Sequence, residues 1–358
     1  MLNKKFIFLN LTTENTLFYK GVAIIMIIMH NYFHLLPPII GENEQDFNYT
    51  RLVTFIESIF NKPEFIFQVT FSFFGHYGVQ VFIFLSAYGL TKKYINSKIH
   101  YVVFLKKRIL KIYPAFMFSI ILWAIYTGLN DPINVIINNW ESLLYKLLFI
   151  ANFIPGELYS INGPWWFVSL IVQFYIIFPF VRDFYHKYGN LGLLVLSFAS
   201  LLLTAHFQPK IGIPLPGTIL THIPEISIGI FLAQQKKFSI KYSTILIIFI
   251  IFILSNYYQF FWYLSYSSAL FLLLILFQNT LLICNQTFTK YLLFIGSISM
   301  YIFYINGFMR TPWIEFSKQY DLWYLNILFC VVFIMIVIIT SFLMYLFSKK
   351  IRVMIGQI

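Results

Sequence analysis

The chain has 358 residues, of which 59% are hydrophobic and 11% charged, with a formal net charge of +12. A soluble domain carries about 25% charged residues, so this composition excludes one. The positive charge forms no folded basic patch for nucleic acid; it collects between apolar runs, where topology and lipid headgroups account for it.

Apolar stretches of about 20 residues recur along the chain, the length a helix needs to cross hydrocarbon. They predict an all-α polytopic membrane protein with about ten transmembrane helices in a single domain, 1–358. The predicted spans are 17–36, 66–90, 109–129, 164–183, 190–207, 217–234, 242–258, 262–283, 291–309 and 322–347. The first is long enough to span and no small-residue cleavage site follows, so it reads as a retained helix rather than a signal peptide. The stretch 143–153 is apolar but short and contains Lys146, which leaves it re-entrant or interfacial. Cys284 and Cys330 have neither metal-like nor disulfide spacing and read as packing residues.

Charge supports this count. With both termini cytoplasmic, the loop carrying Lys92, Lys93, Lys98, Lys106, Lys107, Arg108 and Lys111 faces the cytoplasm. The opposite face keeps only Arg51, Lys62, Lys146, Lys210, Arg310 and Lys318, together with Glu42, Glu44, Asp46, Glu57 and Glu64. That asymmetry follows the positive-inside rule. The partner it implies is a lipid bilayer, with a cell membrane as the location.

Polar groups inside spans are costly and are therefore functional candidates. His30 and His34 share one face of the first span, and His76 lies in the outer half of the second. Asn306 lies in the outer half of the ninth. Glu225, after Pro224 and three residues from His222, is the one carboxylate inside a predicted span. Ser86 and Ser169 are possible nucleophiles or substrate contacts, although a helix-interior Ser more often bonds its own backbone. His30 and His34 lack the HExxH arrangement and no carboxylate is obviously placed beside them, so no metal is expected. Lys107, Arg108 and Lys111 open the third helix and could clamp a phosphorylated cytosolic donor.

At these residues the chain resembles the acyltransferase-3 family of membrane-bound acyltransferases. The likeness rests on YKGVAIIMIIMHN (19–31), GVQVFIFLSAYGL (78–90), FLKKRILKIYP (104–114), WWFVSLIVQFYIIFP (165–179) and GSISMYIFYIN (296–306), in the family's order, with PEISIGIFLA (224–233) looser. The resemblance implies a ten-helix O-acyltransferase that moves acetyl from acetyl-CoA to a cell-surface polysaccharide or its lipid-linked precursor. It casts His30 as the first-helix general base or acyl acceptor, Lys20 in the place of a usual Arg, and Arg108 and Lys111 near the donor. Lys20 to His30 is one residue shorter than the common spacing, so Asn31 competes for the His position. Asn306 replaces a late-helix His, Ala87 a Gly, and Ile171 a frequent Glu. Trp165 and Trp166 are interface anchors that could also stack on a sugar. A lipid-linked glycan polymerase and a transporter or flippase are the competing readings. An oligomer or an accessory protein is compatible with all of them.

Overall fold

The computed structural model describes residues 6–236 and 238–354. The extreme termini, whose side of the membrane belongs to the predicted topology, lie outside that range. The strand β1 (Phe6–Leu9) leads into α1 (Thr13–Phe33), where Thr12 caps the first turn by accepting from the Asn15 N–H at 3.1 Å. An outer segment carries α2 (Tyr49–Asn61) and α3 (Ile66–Phe74), and α4 (Gly78–Tyr94) follows after one tight turn. Then come α5 (Tyr101–Thr127), the short α6 (Pro132–Asn138) and α7 (Trp140–Leu147), and the long α8 (Trp166–Ile211). The chain ends with α9 (Ile223–Gln234), β2 (Phe238–Lys241), α10 (Tyr242–Tyr257), α11 (Leu264–Ile283), α12 (Gln286–Met309), α13 (Thr311–Tyr320) and α14 (Trp323–Met354). β1 pairs antiparallel with β2, Phe6 opposite Lys241 and Leu9 opposite Phe238.

Every predicted span falls on a helix, but the lengths differ from the reading of ten. Among the described residues, 7 helical runs are long and apolar enough to cross a membrane. The predicted pair 164–183 and 190–207 forms the 46-residue α8. A straight helix of that length would run ~69 Å, against a hydrocarbon core of ~30 Å. Gly189 interrupts it at φ 62°, ψ −151°, a conformation open only to glycine. The predicted 217–234 shortens to α9 because Pro214, Pro216 and Pro224 hold the chain out of helix until residue 223. The stretch 143–153 does not span: α7 stops at Leu147 and Lys146 is buried, its Nζ donating to the Glu157 and Leu158 carbonyls at 2.8 Å.

α1 is the axis of the bundle and packs most closely on α12. Gly21 lies against the Leu292 carbonyl and Gly296 against the Leu17 carbonyl, so a Cβ at either position would strike backbone. At its other end, Gly75 lets the turn before α4 approach the Met26 carbonyl and the His30 Cβ. Large apolar side chains such as Leu194, Phe198, Leu246, Leu328 and Ile339 stay exposed on the outside of the bundle, as a lipid-facing surface requires.

Candidate functional site

His30 in the last turn of α1 and His34 at its C-cap lie on one face, with their ring centroids 4.8 Å apart. Each imidazole uses its Nδ1 on a carbonyl: His30 donates to Ser72 O at 2.9 Å and His34 to His30 O at 2.8 Å. A carbonyl can only accept, so both Nδ1 atoms are protonated and both Nε2 atoms point elsewhere. They converge on one side chain. His30 Nε2 is 3.2 Å from Glu42 Oε2 and His34 Nε2 is 3.1 Å from Glu42 Oε1. With both Nδ1 atoms protonated, the Nε2 of a neutral imidazole turns its lone pair toward Glu42, a contact that an added proton converts into a hydrogen bond.

The two histidines are buried, whereas 34% of the Glu42 side chain remains open. It faces a cavity of about 220 Å³ lined by Asn31, His34, Glu42, Glu44, Tyr159, Gly163, Pro164, Trp166 and Arg310. Burial alone would raise the Glu42 carboxyl, but the facing His34 and His30 hold it below the usual carboxylate range. Glu44 goes the other way: burial, then the charge of Glu42, lifts its carboxyl well above that range. One pocket thus holds two carboxyls pushed in opposite directions, the kind of split that acid–base chemistry uses. Burial pushes the Tyr159 phenol well up, with Glu42 and Glu44 adding to it.

Two guanidinium groups frame the cluster. Arg51 Nη2 donates to the Ser72 carbonyl and hydroxyl at 2.8 and 2.9 Å, and its Nε donates to Asn43 at 3.1 Å. Arg310, just past α12, donates from Nη1 to Asn31 O at 2.5 Å. Burial lowers both to about 10 against the pull of Glu42, so both stay charged at neutral pH. His76 lies beside them, its ring centroid 5.2 Å from that of His30. The ligand atoms of His30, His34 and Glu42 fall within 4.8 Å of one another, a two-His, one-carboxylate set that could hold a divalent ion. Arg51 and Arg310 already supply positive charge beside Glu42.

A groove of about 720 Å³ shares Tyr159, Gly163 and Arg310 with this cavity and continues along Trp123, Tyr126, Leu129 and Phe308. A third cavity, about 420 Å³, lies nearer the start of α1. Lys20, Ser86, Lys111 and Tyr175 line it together with Phe82, Phe167 and Phe303. At ~1.5 Å per residue, α1 carries Asn31 about 16 Å beyond Lys20.

Against the sequence reading, His34, Asn31 and Trp166 line the outer cavity, with His30 and His76 buried behind it. Asn306 joins them through its Oδ1, which accepts from Asn31 Nδ2 at 2.8 Å. Lys20, Lys111 and Ser86 line the inner cavity. The others fall elsewhere. Trp165 is fully buried, with its indole N–H given to Tyr304 O at 2.8 Å and its ring packed on Phe116 and Trp123; it has no free face for a sugar. Glu225 lines neither cavity. It is buried between α9 and α11, accepting from Ser267 Oγ at 2.5 Å with His222 Nδ1 at 3.4 Å, so its contacts join helices. Lys107 is exposed and outside both cavities. Arg108 reaches the inner cavity only through Tyr175, stacked between Phe104, Tyr94 and Tyr175 at 5.4 to 5.9 Å. Ser169 is buried and also outside that lining.

The sequence reading passed over Glu42, Glu44, Arg51, Arg310 and Tyr159. The available signal was weak: ionised residues bordering the ends of two histidine- or asparagine-bearing spans. The absence of a carboxylate beside His30 and His34 was an artefact of reading along the helix, because Glu42 returns to them through a loop.

A family model described as an acyltransferase domain matches residues 18–346. No curated protein and no solved structure matches the chain.

Proposed function

The chain belongs to the acyltransferase-3 family, and we propose that it transfers acetyl from acetyl-CoA to a hydroxyl of an extracytoplasmic glycan or its lipid-linked precursor. The observation that carries this reading is the His30–Glu42–His34 cluster opening onto a polar cavity, on the same helix that presents Lys20 to a second cavity. In this topology the helices of the bundle make ten crossings of a bacterial cytoplasmic membrane with both termini inside. The basic end of α5 then meets the cytosol and the Glu42 cavity meets the exterior.

Lys20 and Lys111 attract the donor phosphates, and Arg108 adds charge behind Tyr175. The acceptor occupies the outer cavity, against the Trp166 and Tyr159 rings, with Arg310 and Asn31 orienting it. Its hydroxyl gives up a proton to Glu42. That proton settles between Glu42 and an imidazole Nε2, turning a contact between lone pairs into a hydrogen bond. The hydroxyl oxygen bonds to the thioester carbonyl carbon. The C–S bond breaks, its electron pair stays on sulfur, and the thiolate recovers the proton as free coenzyme A. His30 and His34 act through Glu42, and no metal is required for any of these steps.

The test is release of free thiol by the full chain in lipid nanodiscs, given acetyl-CoA with and without a hydroxylated glycan. Glycan-dependent release that His34→Ala and Glu42→Gln abolish, with the protein still folded, is the expected result. Movement of a glycan across the bilayer, or its polymerisation, with no thiol released would replace this reading by a flippase or a polymerase.

A further inference from the structure

Three phenylalanines cluster in the wall of the inner cavity. Phe82 on α4, Phe167 on α8 and Phe303 on α12 all line the inner cavity. The Phe167 and Phe303 rings stack at 4.7 Å with an interplanar angle of 20°. Phe82 meets Phe303 edge-on at 5.6 Å and Phe167 at 6.3 Å. At these separations the three rings are in contact, and all three are buried. Each stands next to the outer site in sequence. Phe167 follows Trp166, which lines the outer cavity. Phe303 is one turn before Asn306, the partner of Asn31. Phe82 is less than two turns after His76, whose ring abuts His30.

We propose that Phe82, Phe167 and Phe303 form an acyl-length filter that admits a two-carbon acyl group and rejects longer chains. This rests on the reading of the inner cavity as the donor site. A thioester arriving from Lys20 and Lys111 must bring its carbonyl carbon to the outer edge of these rings to meet a hydroxyl near Glu42, which leaves the acyl tail packed among them. The rings come from three different helices, each fixed by packing, so they part by side-chain rotation more readily than by helix movement. Acetyl presents one methyl beyond the carbonyl. Every added methylene has to sit among rings already in contact, and one methylene in a tight apolar site alters selectivity by about 10–200-fold.

The experiment compares acetyl-, butyryl- and hexanoyl-CoA as donors for the full chain in nanodiscs, reading acceptor-dependent thiol release. The wild type should favour acetyl over hexanoyl by at least about 100-fold. Phe82→Leu, Phe167→Leu and Phe303→Leu should each narrow that ratio by about tenfold or more, whereas Phe82→Trp should slow acetyl itself. A wild-type length profile that persists in all three leucine variants overturns the filter alone. Loss of acetyl transfer in all three, with protein still folded, also overturns it, because a widened filter still passes acetyl. Absence of thiol release from every donor in the wild type overturns the donor reading and the filter together.

Discussion

Replacing Glu42 with Gln removes the one group on which both imidazoles converge, while keeping its shape. The amide can donate to one Nε2, at the position now 3.1 or 3.2 Å away. Its carbonyl must then face the other Nε2, and neither atom can take a proton from an alcohol. General-base catalysis is worth about 10²–10⁴-fold, so kcat should fall by that factor, on the order of 3–5 kcal/mol of barrier at 1.36 kcal/mol per tenfold. The KM for the acyl donor should hardly change, since Lys20 and Lys111 line a separate cavity. Glu42→Ala would also strip Arg51 and Arg310 of a counter-charge. Breaking a fully buried pair costs about 3–5 kcal/mol, but the open third of Glu42 reduces this to roughly 1–3 kcal/mol. The sign of the pH dependence is fixed by the depressed carboxyl. Its contribution to stability is present above the ordinary carboxylate value of about 4.3 and is lost as pH falls through the lower folded value. Glu42→Gln should remove that dependence from thermal unfolding curves recorded between about pH 3 and pH 7. A folded Glu42→Gln protein turning over within threefold of wild type would refute the role given to this carboxylate.

Two more outcomes follow from the packing. Trp165→Phe should lose the hydrogen bond to Tyr304 O and about 1 kcal/mol of stability while leaving the acceptor KM unchanged, whereas Trp166→Ala should raise that KM; steady-state kinetics on both variants separate the two rings. Gly21→Ala or Gly296→Ala should lower the unfolding temperature in detergent, because the added methyl meets backbone carbonyls between α1 and α12; overpacking of this kind costs about 1–3 kcal/mol.

The sequence by itself determined the apolar helices and which of them carry buried polar groups. Both depend on runs of neighbours: hydrocarbon-length stretches mark the helices, and four-residue spacing alone puts His30 and His34 on one face. Lys20 and Asn31 were likewise fixed on one helix at a readable distance. Only the tertiary structure decided what those groups meet. Glu42 reaches His30 through a loop after Pro37 and Pro38, Arg310 reaches Asn31 from the far end of α12, and Arg51 reaches Ser72 from a separate helix. The same holds for exclusions: Trp165 and Trp166 are adjacent in the chain, yet one is locked in the core and the other lines the cavity. Contacts between residues far apart in sequence arise from helix packing, where backbone approach at Gly21, Gly75 and Gly296 sets the register. Local pattern carries no record of that register.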